Sequence, residues 1–276
     1  MPISGATQLA AVIGWPVEHS RSPAIHNAAA EAAGVDLVYT AQPVQPGNGA
    51  AAASAMRTLG MRGLSVTMPH KVDVMSALDE ITPVAQALGA VNHITNTDGH
   101  LVGNNTDGSG FLLGLRHDAD IDVNGLTVGV FGAGGAARSI IHACAAGGAD
   151  VVVVARDHDR ATTAAAVGNG NARVGQVDDF ATVDVAVNAT PVGMAGTSSE
   201  SSVPFDVGGL GLNTVVVDVV YNPLDTPLLL AAKESGLVAI DGLSMLVGQA
   251  AAQFTAWTGV DAPLAAMRNA ARSVMK

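Results

Sequence analysis

Short runs of Val, Ile, Leu and Ala recur along the chain, separated by Ala-rich stretches of helical length. The runs at Ala10–Trp15, Val38–Pro43, Gly63–Met68, Asn92–Asn96, Thr127–Phe131, Val151–Ala155, Val183–Ala189, Val215–Val219 and Val238–Ile240 read as strands, because β-branched residues bounded by Gly, Pro and Asn favour extended chain. Many of the segments between them read as helices. This alternation predicts an α/β fold of parallel sheets covered by helices. Val151–Val154 and Thr214–Val220 are apolar almost throughout, as strands buried on both faces are.

The pattern breaks near Asn104–Gly110, between the polar, turn-rich stretches TNTDGH and GNNTDGSG. A helical segment, Phe111–Arg116, follows before the strand LTVGVF. The break divides the chain into a first domain at 1–106 and a second, of Rossmann type, at 107–241. The final segment, 242–276, is helical. Its apolar positions Leu246, Ala250, Phe254 and Trp257 recur every three to four residues and form one buried stripe. Gly193–Gly211, rich in Gly and Ser, reads as a surface loop.

Composition narrows the function. A formal net charge of −11 argues against a nucleic-acid binder, which needs a basic face. It also means that any anion site depends on a few of the 13 Lys and Arg residues. The single cysteine, Cys144, permits neither an intramolecular disulfide nor a Cys-based metal site, and no metal is expected. The N-terminus lacks a basic n-region, and no run of 18 apolar residues occurs, so neither a signal peptide nor a membrane span is expected. A cytoplasmic protein fits these features.

The strand LTVGVF runs into Gly132-Ala133-Gly134-Gly135-Ala136-Ala137-Arg138 and then an Ala-rich helix. This is the G-x-G-x-x-A form of the dinucleotide-binding turn. Gly132 makes the turn, Gly134 lets backbone approach a pyrophosphate, and Ala137 lets helix and strand pack closely. The free N–H groups at the helix start face the pyrophosphate. The residues after the next strand select the cofactor. An Asp or Glu there accepts from an NAD ribose, whereas this chain offers Arg156 and Arg160, which suit the 2′-phosphate of NADP. Asp157 leaves NAD open, and it also offers Arg160 an ion-pair partner.

Three segments of the first domain carry polar groups at element ends. In HSRSP, Ser22-Pro23 reads as a helix start with Ser22 as N-cap, and Ser20 and Ser22 together suit a small carboxylate. In SVTMPHK, Lys71 falls in the first turn of an expected helix, where the macrodipole disfavours a cation and would help to lower its pKa. A residue set against its local electrostatics suggests proton transfer, although a solvated surface lysine reads the same way locally. In GAVN and GNNTDG, Asn92 and Asp107 can bond adjacent hydroxyls of a polyol ring, and Asp107 can equally cap the helix that follows.

The ordered segments HSRSP, SVTMPHK, GAVN, GNNTDGSG, GAGGAAR, NATPVGM and DGLSMLVGQAA resemble the shikimate dehydrogenase family over nearly the whole chain. The resemblance implies an N-terminal substrate domain, a Rossmann domain binding NADP, and C-terminal helices at 242–276 that complete the first domain. It implies the NADPH-dependent, reversible reduction of 3-dehydroshikimate to shikimate in aromatic amino acid biosynthesis. By position, the catalytic pair falls on Lys71 and Asp107. Ser20 and Ser22 fall on the carboxylate site, and Thr67, Asn92, Asp107 and Gln249 on the ring hydroxyls, with Tyr221 near the substrate. The cofactor turn falls on Gly132, Ala133, Gly134, Gly135 and Ala136, and the 2′-phosphate on Arg156 and Arg160. Ala189, Thr190, Val219, Gly242 and Met245 fall at the nicotinamide end. Met245 and Gln249 lie one helical turn apart on the same side.

Departures also matter. Ser65 stands where the family usually has Asn, and Ala155-Arg156-Asp157 replaces the usual Asn-Arg-Thr. His70 and His93, at positions that vary in the family, read as structural. The nearest alternatives are a quinate/shikimate or aminoshikimate dehydrogenase, NAD-linked or not, and, in a different class, a non-catalytic nucleotide or metabolite sensor. A homodimer is compatible with any of these.

Overall fold

The computed structural model describes residues 2–273, so the last three positions of the expected C-terminal helical segment lie outside the described residues. The chain forms two compact units. One comprises the chain up to Thr106 together with the residues from Gln249 onward, and the other is Asp107–Gly248. The second division falls inside a continuous helix rather than at the expected 241/242 boundary.

In the first unit, β1 (Gln8–Gly14), α1 (Ser22–Ala33), β2 (Leu37–Pro43), α2 (Gly49–Thr58) and β3 (Gly63–Val66) alternate as the apolar pattern requires. They are followed by β4 (Glu80–Ile81), α3 (Pro83–Leu88), β5 (His93–Thr97) and β6 (His100–Asn104). The sheet order is β2-β1-β3-β5-β6-β4. The β2-β1-β3 side is parallel, but β5 runs antiparallel to both β3 and β6, so the expectation of wholly parallel sheets fails here. The cause is local. Asp98 and Gly99 both adopt positive φ, 52° and 92°, which is the two-residue hairpin geometry that suits Asp-Gly. Part of the stretch read as a polar break is therefore a hairpin turn followed by a strand.

The second unit holds α4 (Asp107–Ala119), β7 (Thr127–Phe131), α5 (Gly135–Ala146), β8 (Asp150–Val154), α6 (His158–Ala166) and β9 (Ala172–Val174). It continues through β10 (Val185–Asn188), β11 (Val215–Asp218), α7 (Pro227–Glu234) and β12 (Val238–Ile240). The six-stranded order β12-β11-β10-β7-β8-β9 is all parallel. It is the doubly wound Rossmann order, and the switch point lies between β7 and β10. Val128, Val130, Val151, Val153, Val185 and Val187 are buried with Ile140 and Ile141 of α5, which is why these strands read as continuous apolar runs. The expected C-terminal helix is two, α8 (Leu243–Thr258) and α9 (Leu264–Ser273), interrupted where Gly259 turns at φ 70° before Pro263.

Candidate active site

In the first unit, the predicted substrate residues collect where β1 and β3 end and β5 begins. Ile13 carbonyl accepts the Thr67 N–H, and Met68 carbonyl accepts that of Trp15, each at 3.0 Å. A Cβ on Gly14 would lie 2.5 Å from Thr67 Cγ2, so glycine is what permits this approach. Asn92 carbonyl accepts the Val66 N–H at 2.8 Å, and Lys71 carbonyl accepts the Val91 N–H at 2.7 Å. Thr67, Lys71 and Asn92 are thereby held side by side.

Two expectations need correction. Lys71 is not in a helix. It lies in a turn ahead of a five-residue 3₁₀ segment, Asp73–Ala77. Its carbonyl is committed to Val91 rather than to a helical N–H, so the helix-dipole reason for singling it out does not hold. Nor is Ser22 the N-cap of α1. Ser22 lies within the first turn, and its N–H donates to Ser20 Oγ at 3.3 Å.

Asn92 is almost fully buried, and its Oδ1 accepts both from the Thr106 N–H at 2.8 Å and from Thr106 Oγ1 at 3.3 Å. Thr106 Oγ1 also reaches the Gln249 carbonyl at 3.3 Å, tying the C-terminal half of α8 into the group. Sequence reasoning missed a further part of this cluster. Tyr39 Oη donates to Ser65 Oγ at 2.6 Å, and Ser65 donates to Gln253 Oε1 at 2.5 Å. Burial raises the Tyr39 phenol well above its ordinary value, against the opposing influence of the Ser65 and Ser22 hydroxyls. His70 and His93 are buried, and His70 Nε2 lies 2.8 Å from the Val44 carbonyl, in keeping with structural roles.

In the second unit, Gly132 leaves β7 at φ 135°, and a Cβ there would lie 2.7 Å from the Ala189 carbonyl at the end of β10. Only glycine suits that position. Nothing lies within 4 Å of a Cβ built on Gly134 or Gly135 at the start of α5, which is the open cradle a pyrophosphate requires. Ala137 is fully buried against the sheet. Ala133 and Ala136 flank these glycines, beside the turn.

Ala189 and Thr190 follow β10, Val219 and Tyr221 follow β11, and Gly242 and Met245 follow β12, so all six gather at the carboxyl ends of the strands. A Cβ on Gly242 would come within 2.5 Å of the Val219 and Val220 carbonyls. Beneath them, Asp218 accepts from Asn188, the Val220 N–H and Thr226, at 2.9, 3.0 and 2.7 Å. Burial pushes its carboxyl up to about 6 against the three bonds. An Asp inside an apolar run was the signal for this network. Asp107, buried, opens α4.

Arg156 and Arg160 lie beyond β8. Neither guanidinium has a hydrogen-bond or ion-pair partner among the described residues. The Asp157 carboxylate instead caps α6, accepting the Asp159 and Arg160 N–H groups at 3.0 and 3.1 Å. Burial pushes the Cys144 thiol up to about 12, so it is inert.

A doubly wound sheet, an open Gly-rich turn and two unpaired arginines beside it define an NADP-type oxidoreductase. Residues 12–94 match the shikimate dehydrogenase substrate binding domain, and 242–272 match the shikimate 5′-dehydrogenase C-terminal domain. Residues 127–206 match the family described as NADP oxidoreductase coenzyme F420-dependent. A shikimate dehydrogenase (NADP(+)) of Moorella thermoacetica is 42% identical, covering 99% of this chain and 95% of its own. A crystal structure of a shikimate dehydrogenase in complex with NADP+ superposes with a TM-score of 0.92 at 36% identity, covering 100% of this chain and 98% of that one. The shikimate 5-dehydrogenase of Thermus thermophilus, in complex with NADP(H) and shikimate, gives 0.88 at 35% identity, covering 96% and 99%. The chain belongs to the shikimate dehydrogenase family.

Proposed function

We propose that the chain interconverts 3-dehydroshikimate and shikimate with NADP(H), using Lys71 and Asp107 at the reacting end. The observation that carries this reading is the first unit's polar platform, where Thr67, Lys71, Asn92 and Gln249 are held together by hydrogen bonds between their backbones and neighbours. Such a set recognises a small polyhydroxylated ring. Ser20 and Ser22 take the carboxylate, while Thr67, Asn92, Gln249 and Asp107 take the hydroxyls, with Tyr221 beside them. In the second unit, the open turn at Gly132–Ala136 takes the pyrophosphate, and Arg156 and Arg160 take the 2′-phosphate by charge-assisted bonds. Ala189, Thr190, Val219, Gly242 and Met245 line the place of the nicotinamide.

When bound, the nicotinamide supplies the hydride that reduces the C3 carbonyl. Lys71 Nζ gives its proton to the C3 oxygen as charge develops there, and takes it back in the reverse direction. Asp107, which follows Thr106 directly in the chain, orients the Lys71 ammonium for that transfer. General acid catalysis of this kind contributes about 10²–10⁴-fold. The lone, buried cysteine fits a cytoplasmic enzyme.

The test is Lys71→Ala. It should lower kcat by roughly that factor and leave NADP binding, read by fluorescence of the reduced nucleotide, intact. A near-normal kcat would remove Lys71 from the chemistry.

A further inference from the structure

The α8 stripe Gln249, Gln253 and Trp257 runs along one face of β3. Trp257 covers Gly63, where a Cβ would lie 2.1 Å from Trp257 Cε2, and Gln253 meets Ser65. Four residues of helix advance about 6 Å and two residues of strand about 6.6 Å, so the two ladders keep step. The next step brings Gln249 level with Thr67. Ser65 and Gln253 therefore form the layer directly beneath two proposed substrate ligands.

Hydrogen-bond direction passes upward through that layer. Tyr39 donates to Ser65, and Ser65 donates to Gln253 Oε1. Both N–H groups of Gln253 Nε2 are then engaged, one with Thr106 Oγ1 at 3.1 Å and one with Gln249 Oε1 at 2.6 Å. With its oxygen held from below, Gln249 turns its amide nitrogen away from Gln253. Asn92 is fixed in the same sense, since its Oδ1 faces Thr106. The direction of both carboxamides is thus set by bonds to their oxygens.

We infer that Gln253 and Ser65 are positioning residues for substrate recognition, a buried relay from Tyr39 that sets the direction of the Gln249 carboxamide. The pair is matched in length. Ser65 is 6% exposed and Gln253 1%, and their contact leaves no space for a longer residue at 65 unless 253 is shortened. Ser65 and Gln253 are thus fitted to each other.

The inference rests on Gln249 being a substrate ligand, and the variants separate the two claims. Initial rates with shikimate are measured for Gln249→Ala, Gln253→Leu, Ser65→Asn, and Ser65→Asn combined with Gln253→Ala. Thermal midpoint and KM for NADP report on folding. Losing one orienting hydrogen bond, worth about 1 kcal/mol, corresponds to roughly a fivefold change. Gln253→Leu and Ser65→Asn should each raise KM for shikimate by at least about that much, with KM for NADP unchanged, and the double variant should recover most of the loss. A raised KM in Gln249→Ala with a normal KM in Gln253→Leu would overturn the relay and leave the ligand standing. A normal KM in Gln249→Ala would overturn both. If Gln253→Leu does not fold, the double variant decides: a KM no better than that of Ser65→Asn alone counts against the relay.

Discussion

The Asp157 carboxylate accepts the backbone N–H of Arg160 at 3.1 Å, at the N-cap of α6. The Asp157 carboxylate caps the helix through Oδ1 and forms no ion pair with Arg160 among the described residues. Neither the Arg160 nor the Arg156 guanidinium has a partner among the described residues.

Neutralising both arginines should therefore change cofactor preference. A hydrogen bond to a charged group contributes roughly 1.5–3 kcal/mol, or about 10- to 150-fold. The double variant Arg156→Gln/Arg160→Gln should raise KM for NADP by at least that order while KM for NAD moves little. Equal losses for both cofactors would make the arginines structural. Asp157→Ala is the counterpart. It should cost about 1 kcal/mol of stability through the lost cap and leave the preference unaltered.

The two serines proposed for the carboxylate differ in their second duties. Ser20 Oγ accepts the Ser22 N–H at the start of α1, so Ser20→Ala combines any loss of binding with a loosened helix start. Ser22 makes no such cap, but its hydroxyl bonds the buried Tyr39 phenol, so Ser22→Ala perturbs the interior rather than the helix start. Ser22→Ala should raise KM for shikimate by about 10- to 150-fold, with the thermal midpoint and KM for NADP as controls for packing at Tyr39. An unchanged KM would exclude Ser22 from the site.

Much of this was legible because it is local. The turn Gly132–Arg138 announces itself by a strand before it and a helix after it. The hairpin β5–β6 was also signalled, by Asp98-Gly99, but β6 has few apolar residues and reads as polar linker. The helix-dipole reason for singling out Lys71 fails. Local chemistry suggested a helix, whereas Lys71 lies in a turn with its carbonyl bonded to the distant Val91 N–H. The Trp257–Gly63 and Gln253–Ser65 contacts join residues far apart in the chain and leave no local trace.

Acid should weaken the first unit specifically. His26 stacks on Tyr39 with ring centroids 4.3 Å apart, and His93 packs against Trp257. Burial, with the nearby His93 adding to it, lowers His26 to about 3, and burial lowers His93 to about 4. Both are buried neutral. Below the ordinary histidine value of 6.5, the unfolded chain takes up protons that the folded chain refuses. Stability is complete above that pH and falls as pH drops through about 4 and 3, by up to about 1.4 kcal/mol per pH unit for each ring. Asp218, raised by burial to about 6, acts in the opposite sense. Its contribution is complete below 3.8 and is lost as pH rises through 6. Urea unfolding of the wild type and His26→Leu at pH 7 and pH 5 separates the terms. The difference between the two proteins should shift toward the variant at pH 5, and a pH-independent difference would count against a buried neutral His26.

The most direct measurement is an initial-rate assay that follows absorbance of the reduced nicotinamide, with shikimate and quinate each offered with NADP and with NAD. The platform around Asn92 and Gln249 and the unpaired Arg156 and Arg160 predict the highest kcat/KM for shikimate with NADP. A higher kcat/KM for quinate, or for NAD, would contradict the assignment of substrate or cofactor respectively. No turnover with any pair would contradict the account of this chain as an active dehydrogenase.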